Sequence, residues 1–235
     1  MEKKIKKIYL LKEIDSTQNY AKTLIDTGLN PLDRTLIIAK KQSEGRGRFY
    51  RKWHSPPGGI YLSFILSNFE IIQRICIDTS LALVKLTKEL YGLQVYIKWP
   101  NDIILENKKL SGILIETYKN HLIIGVGYNL NTSPQDLPPK AISIYQILNK
   151  KQSIKEWVNK FIEYLNTYLN KPVSENLYEF KTYSYTLGKF VHVRLANSKK
   201  IEGFAIDVDT NGELIIRTPQ GFQEKISSAE VLNLR

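Results

Sequence analysis

The sequence predicts an α/β protein in two parts: a mixed, mostly antiparallel sheet flanked by helices, then a small all-β barrel. Three observations carry this reading. Strand-like and helix-like periodicities interleave through the first 186 residues. From Leu187 onward the texture changes to short strands separated by turn residues. Asn211-Gly212, between two of those strands, is a strong hairpin signal. The expected division is a main domain over 1–186 and an appended domain over 187–235.

The elements follow in order. Ile8–Ile14 reads as a strand running into Asp15-Ser16-Thr17, polar residues suited to cap a helix over 16–27 that Gly28 ends. Thr35–Lys41 is a β-branched strand, and Ile60–Leu66 is its expected partner beyond a basic loop. The longest helical pattern spans 70–91 and stops at Gly92. Strands follow at 94–99, 102–105 and 110–118, the last two joined by Glu106-Asn-Lys-Lys109. Asn120-His121 reads as a further turn into Leu122–Val126. Pro134, Pro138 and Pro139 mark a loop, and helical patterns occupy 141–149, 153–169 and 173–182. The final strands are expected at 189–195, 200–208, 213–218 and 221–226.

Composition narrows the class. The chain has 235 residues, 43% of them hydrophobic, enough to bury a sizeable core. No apolar run reaches the roughly 18 residues of a membrane span. The basic start, Met1-Glu-Lys-Lys-Ile-Lys-Lys-Ile, lacks the apolar region and cleavage site of a signal peptide. Cys76 is the single cysteine, which excludes an internal disulfide framework and a cysteine zinc cluster. A cytoplasmic protein is expected. The net charge is +11, of which residues 184–235 hold seven basic and six acidic groups. The excess therefore sits in residues 1–183, and basic charge favours polyanions, ATP or an acidic protein alike.

The richest stretch is Gln42-Ser-Glu-Gly45-Arg46-Gly47-Arg48-Phe-Tyr-Arg51-Lys52-Trp53. Glycine lets backbone approach a ligand. Arginine forks grip carboxylates and phosphates, and an indole offers a stacking face. Such a loop suits an anion beside an aromatic ring, as in a nucleotide. Being glycine-flanked and of like charge, it is expected to be mobile when empty and to order over ligand.

Gly45-Arg-Gly-Arg48 with Arg51-Lys-Trp53, Lys98-Trp-Pro-Asn-Asp102, Lys109-Leu-Ser-Gly112 and Gly125-Val-Gly-Tyr-Asn129 occur in that order. With Asp15-Ser16-Thr17 ahead of them, they resemble the motifs of the biotin protein ligases across nearly the whole chain. The resemblance implies a fold like that of class II aminoacyl-tRNA synthetases with an SH3-like C-terminal barrel. It implies formation of biotinyl-5′-AMP from biotin and ATP with Mg²⁺, then transfer to an acceptor lysine of a biotin carboxyl carrier protein.

Roles carried over by resemblance are as follows. Ser16, Thr17, Gln18 and Gln42 would bind the biotin head. Gly45, Arg46, Gly47 and Arg48 would meet biotin's carboxylate and the adenylate phosphate. Arg51 would reach the triphosphate and Trp53 would stack near adenine. Lys98, Asn101 and Asn129 would contact nucleotide, and Asp102 would sit on the magnesium side. Lys109 would touch both the biotin carboxylate and the α-phosphate, and Gly112, Gly125 and Gly127 would lie against the biotin ring. The catalytic set would be Lys109, Arg46 and Arg48. Lys108 and Lys109 are neighbours on a strand, so only one can point inward. Glu116 is assigned no role. Trp99 and Cys76 are expected in the core.

Two departures are visible. The common form of the motif has glycine where Tyr50 stands. The first strand begins within about ten residues of Met1, so the resemblance is to monofunctional ligases without a DNA-binding domain, with no DNA expected as partner. A homodimer is expected from resemblance. Three other readings compete. A lipoate ligase or octanoyl transferase of the same superfamily would want a nucleophilic lysine or cysteine in place of the arginine loop. A nucleic-acid binder is disfavoured by the nearly neutral barrel. A non-catalytic scaffold should have lost Lys109 or the arginines.

Overall fold

A computed structural model describes residues 5–28, 32–67, 72–195 and 199–234. Strand β1 (Lys7–Leu11) leads to helix α1 (Thr17–Asp26), whose N-cap Ser16 accepts a hydrogen bond from the Gln18 amide. Then come β2 (Thr35–Ala39), β3 (Ile60–Ser67) and the long helix α2 (Ile72–Tyr91). The first two residues of the helix expected at 70–91 lie outside the described residues. Next are β4 (Tyr96–Lys98), β5 (Asp102–Leu105), β6 (Lys108–Tyr118) and β7 (His121–Tyr128). Helices α3 (Ile144–Leu148), α4 (Ile154–Leu169) and α5 (Val173–Thr182) follow. The chain closes with β8 (Phe190–Leu195), β9 (Lys200–Val208), β10 (Leu214–Arg217), β11 (Gln223–Ile226) and β12 (Ala229–Leu234).

The turn between β5 and β6 is tighter than expected. Glu106 and Asn107 both have positive φ, so two residues suffice and both lysines 108 and 109 join the strand. Asn120 turns the next hairpin together with Lys119, whose φ is 49°, and His121 is already in β7.

The backbone divides into two compact units, Met1–Glu70 with Leu105–Val158 and Ile71–Ile104 with Asn159–Arg235. In the first unit the strands lie in the order β1-β2-β3-β7-β6, with β1 and β2 parallel and the other pairs antiparallel. Helix α1 covers one face. Its buried stripe is Thr17, Gln18, Ala21, Leu24 and Ile25, polar at the N-terminal end and apolar beyond. The apolar part packs with Leu32, Ile37, Ile65 and Ile123 into a core cluster.

Register then dictates what lies at the polar end. Ile37, Ser63, Gly125 and Leu114 form one cross-strand row, and Ala39, Tyr61, Gly127 and Gly112 form the next. Residues two apart on a strand share a face, so Gly125 and Gly127 of β7 and Gly112 of β6 leave a patch of this face without side chains, beside Leu114. Apolar packing gives way there to a glycine floor.

In the second unit β4 and β5 form an antiparallel hairpin, and the C-terminal strands form a five-stranded antiparallel sheet in the order β11-β10-β9-β8-β12. This sheet is the small β-structure expected, with β12 as an added strand. Asn211-Gly212 makes the β9–β10 turn, with Gly212 at φ 80°. Trp99 is buried as expected, its indole N–H donating to the Gly212 carbonyl at 3.0 Å. Cys76 is half-buried on α2, its thiol 3.1 Å from the Pro100 carbonyl. No helix is long and apolar enough to cross a membrane among the described residues.

Candidate active site

The first unit gathers a polar cluster where α1 begins. The Gln42 amide oxygen accepts from the Thr17 backbone N–H at 2.8 Å and lies 3.1 Å from the Thr17 hydroxyl. Its amide nitrogen donates to Ser55 Oγ at 2.9 Å. Ser63 Oγ lies 2.9 Å from Thr17 Oγ1 and 3.0 Å from Gln18 Oε1. Gln18 in turn donates to the Leu114 carbonyl at 3.3 Å. Ser16, Thr17, Gln18, Ser55 and Ser63 are all buried. Buried amides and hydroxyls are retained where they are hydrogen-bonded, and this network fixes the orientation of both glutamine amides.

The glycine floor lies beside this cluster, and its close approaches are specific. A Cβ on Gly125 would stand 3.1 Å from the Gln18 amide carbon, and one on Gly127 would stand 2.3 Å from Trp53 Cε2. On Gly112 it would meet Trp53 Cζ3 at 2.9 Å and Lys109 Nζ at 3.2 Å. The indole therefore lies against two glycines, an approach that side chains at 112 and 127 would block. Lys109 Nζ sits 5.2 Å from the Trp53 ring centroid, in cation–π range. Of the two strand lysines, 108 is exposed and 109 turns to this face.

The arginine loop carries its own hydrogen bonds. The Ser43 and Glu44 amides donate to the carbonyls of Ile14 and Asp15 at 3.0 and 2.8 Å. Gly47 N–H donates to the Arg51 carbonyl at 2.7 Å and Trp53 N–H to Gly45 at 2.8 Å, with Arg46 bridging Lys52. The base of the loop is thus tied to the α1 entry and to itself. Its tip is different: Phe49 and Tyr50 have φ of 55° and 59°, and Tyr50 is 99% exposed.

The chain matches two family models, "Biotin/lipoate A/B protein ligase family" over residues 10–129 and "Biotin protein ligase C terminal domain" over 186–232. The bifunctional ligase/repressor BirA of Bacillus subtilis is 32% identical, covering 93% of this chain and 71% of that protein. The chain belongs to the biotin/lipoate A/B protein ligase family. Another relative is the biotin–[acetyl-CoA-carboxylase] ligase of Mycobacterium tuberculosis, 27% identical over 87% of this chain and 80% of its own. The structure of a biotin protein ligase from Aquifex aeolicus in complex with biotin and ATP is similar with a TM-score of 0.85. It is 32% identical and spans 98% of this chain and 99% of that one.

Within this family member, the expected residues Ser16, Thr17, Gln18, Gln42, Gly45, Trp53, Lys109, Gly112, Gly125 and Gly127 fall in the first unit, on or beside one sheet face. Arg48 stacks its guanidinium against Phe49 at 4.9 Å, and Arg51 is exposed. The Arg46 fork is engaged by Asn19 Oδ1 at 2.9 Å and lies 3.7 Å from Glu116. Asn129 is buried, its amide donating to the Ile142 carbonyl at 3.1 Å, and its backbone N–H bonds Leu110 next to Lys109. Lys98, Asn101 and Asp102 belong to the second unit, at the β4–β5 hairpin.

Ser55 and Ser63 were not singled out from sequence. Ser63 had a signal: it is the one polar residue inside Ile60-Tyr-Leu-Ser-Phe-Ile-Leu66, a run otherwise built for burial. Ser55, in a proline-rich loop, had none.

Proposed function

We infer that this chain is an ATP-dependent biotin protein ligase, acting on a lysine of a biotin carboxyl carrier protein or an equivalent carboxylase subunit. The observation that carries this is the placement of Lys109 Nζ over Trp53 beside Gly112, on the face that also bears the amide–hydroxyl cluster. A fused-ring head with N–H and C=O groups suits the Thr17–Gln42–Ser63 cluster. A carboxylate tail suits the lysine.

The chemistry runs in two steps. A carboxylate oxygen of biotin attacks the α-phosphorus of ATP, the bond to pyrophosphate breaks, and biotinyl-5′-AMP remains. The acceptor amine then attacks the acyl carbon, AMP leaves with the bonding pair, and the amine's surplus proton passes to solvent. Lys109 and Arg48 offset charge at the α-phosphate, where positioned cations supply most of the help. Trp53 walls the biotin tail from water and presents its other side to the adenylate. Gly45 and Gly47 let the loop backbone close on the acyl phosphate, while Arg51 meets the outer phosphates.

Lys98, Asn101 and Asn129 are proposed nucleotide contacts, and Asp102 a carboxylate for Mg²⁺. No cluster of three or more His, Cys, Asp or Glu suited to a metal occurs among the described residues. A lone carboxylate fits Mg²⁺, which takes one or two carboxylates and completes its shell with phosphate oxygens and water. When bound, the ion would neutralise triphosphate charge.

Residues 1–186 are assigned as the catalytic domain, and 187–235 as an SH3-like domain that helps hold ATP or the acceptor. The match of the C-terminal family model at 186–232 supports that boundary. A cytoplasmic homodimer without a DNA partner completes the reading.

The test offers the purified protein Mg²⁺, ATP and a carrier domain, with biotin and lipoate in competition. Biotin alone should appear on the carrier lysine by mass spectrometry. Lipoate transfer instead would replace this reading with the lipoate branch of the family.

A further inference from the structure

Arg46 stands in the arginine motif, yet its guanidinium is engaged by side chains of the protein itself. Its Nη1 donates to Asn19 Oδ1 at 2.9 Å, and Nη2 lies 3.7 Å from Glu116 Oε1. Glu116 sits on β6 in the row of Ile65 and Ile123, under α1, four residues along from Gly112. The same Glu116 oxygen accepts from Lys22 Nζ at 2.9 Å, and Glu116 Oε2 is buried with no hydrogen-bond partner among the described residues. Asn19 is itself fixed, donating to Asp15 Oδ2 at 2.7 Å.

We propose that Glu116 is a positioning residue: with Asn19 it grips the Arg46 fork and braces the arginine loop against α1. Arg46 then acts as a strut rather than as a cation for the substrate. This rests on the ligase reading above. A guanidinium offers donors in a fixed fork, so the Asn19 acceptor at 2.9 Å sets its orientation while the Glu116 carboxylate, 3.7 Å away, holds its charge as an ion pair. The Glu116 side chain is only 22% exposed, as is Lys22, and Arg46 is 35% exposed, so these charges are less screened than fully exposed pairs. The braced residue is one position from Gly45 and Gly47, whose backbone must close on the acyl phosphate. A shift of the loop by an ångström would misplace Gln42, Arg48 and Trp53 together, and errors of that size cost catalysis on the order of 100-fold.

The test measures adenylate formation and tryptic cleavage of the loop in the complete chain. Glu116→Gln is expected to lower kcat/KM for biotin about tenfold, with a thermal midpoint close to wild type, since partly exposed ion pairs contribute little to stability. Arg46→Met should show a similar loss. The double variant should show that same loss rather than the product of the two, because both remove one brace. Arg46→Lys, which keeps the charge and loses the fork, should behave like Arg46→Met. Cleavage after Arg48 and Arg51 should quicken at least fivefold in Glu116→Gln and in Asn19→Ala, about the level of one broken contact.

Multiplying losses in the double variant, or full activity in Arg46→Lys, would make Arg46 a substrate cation and overturn the brace. Unchanged loop cleavage in both Glu116→Gln and Asn19→Ala would overturn it as well. Absence of biotinyl-AMP from the wild type would sink the ligase reading alone, since the cleavage experiment does not depend on activity.

Discussion

Ser63 is the residue that most clearly links burial to recognition. It is fully buried in the middle of an apolar strand and contacts two residues of the cluster, Thr17 and Gln18. Ser63→Ala removes the hydroxyl and leaves its partners to find others, which costs about 1 kcal/mol of stability. The effect on ligand should exceed that, because Gln18 and Thr17 are no longer held in one orientation. Calorimetric titration with biotin should show affinity about tenfold weaker, equal to about 1.4 kcal/mol. Unchanged affinity would mean that the cluster only fills space. Tyr61, on the same face two residues earlier, donates to the Pro56 carbonyl instead and serves the loop that follows Trp53.

At the scale of elements, the loop over 42–53 has backbone ties that its composition does not reveal. Charge and glycine content pointed to a segment with little to pack against. The structure ties it through the backbone of Ser43, Glu44, Gly47 and Trp53, while Tyr50 at the tip projects fully into solvent. Those ties are backbone hydrogen bonds, which side-chain chemistry does not announce. The tip holds the chain's oddity. Tyr50, where the motif commonly has glycine, adopts the left-handed conformation that costs a side-chain-bearing residue roughly 1–2 kcal/mol. Tyr50→Gly gives up no packing, so urea unfolding should show a gain, reduced to about 0.5–1 kcal/mol by glycine's greater unfolded freedom. A loss of stability would show that the exposed ring makes contacts in solution. Other elements were legible by plain rules: Ser16 caps α1, α5 spans 173–182 as its pattern implies, and β2 pairs with β3. Strand β12 was not read, because Ser227-Ser228 before it carries no glycine or proline to mark the turn, although Ala229-Glu-Val-Leu alternates correctly.

For the whole molecule, motif residues spaced far apart along the sequence could be grouped only by resemblance, whereas strand register shows why they share a face. Gly112, Gly125 and Gly127 fall in adjoining cross-strand rows, and α1 delivers Thr17 and Gln18 above them. Patterning could predict each strand but not this pairing. Stability of the whole chain should decline in alkali. Burial pushes the Tyr61 phenol above its ordinary value, and burial together with Glu179 does the same to Tyr168. Folded phenols then keep protons that unfolded ones release above about pH 10, so the native state binds more protons and stability falls as pH rises. Thermal midpoints should be level from pH 7 to about 9.5 and drop beyond it; a rise there would contradict the burial of these rings. The central claim is that Lys109, seated on Trp53 over the glycine floor, drives acyl-adenylate formation. Rapid-quench measurement of biotinyl-AMP from biotin, ATP and Mg²⁺ tests it directly. The account predicts adenylate from the wild type and a rate at least about 100-fold lower in Lys109→Ala, with biotin still bound. A variant that forms biotinyl-AMP at the wild-type rate would contradict it.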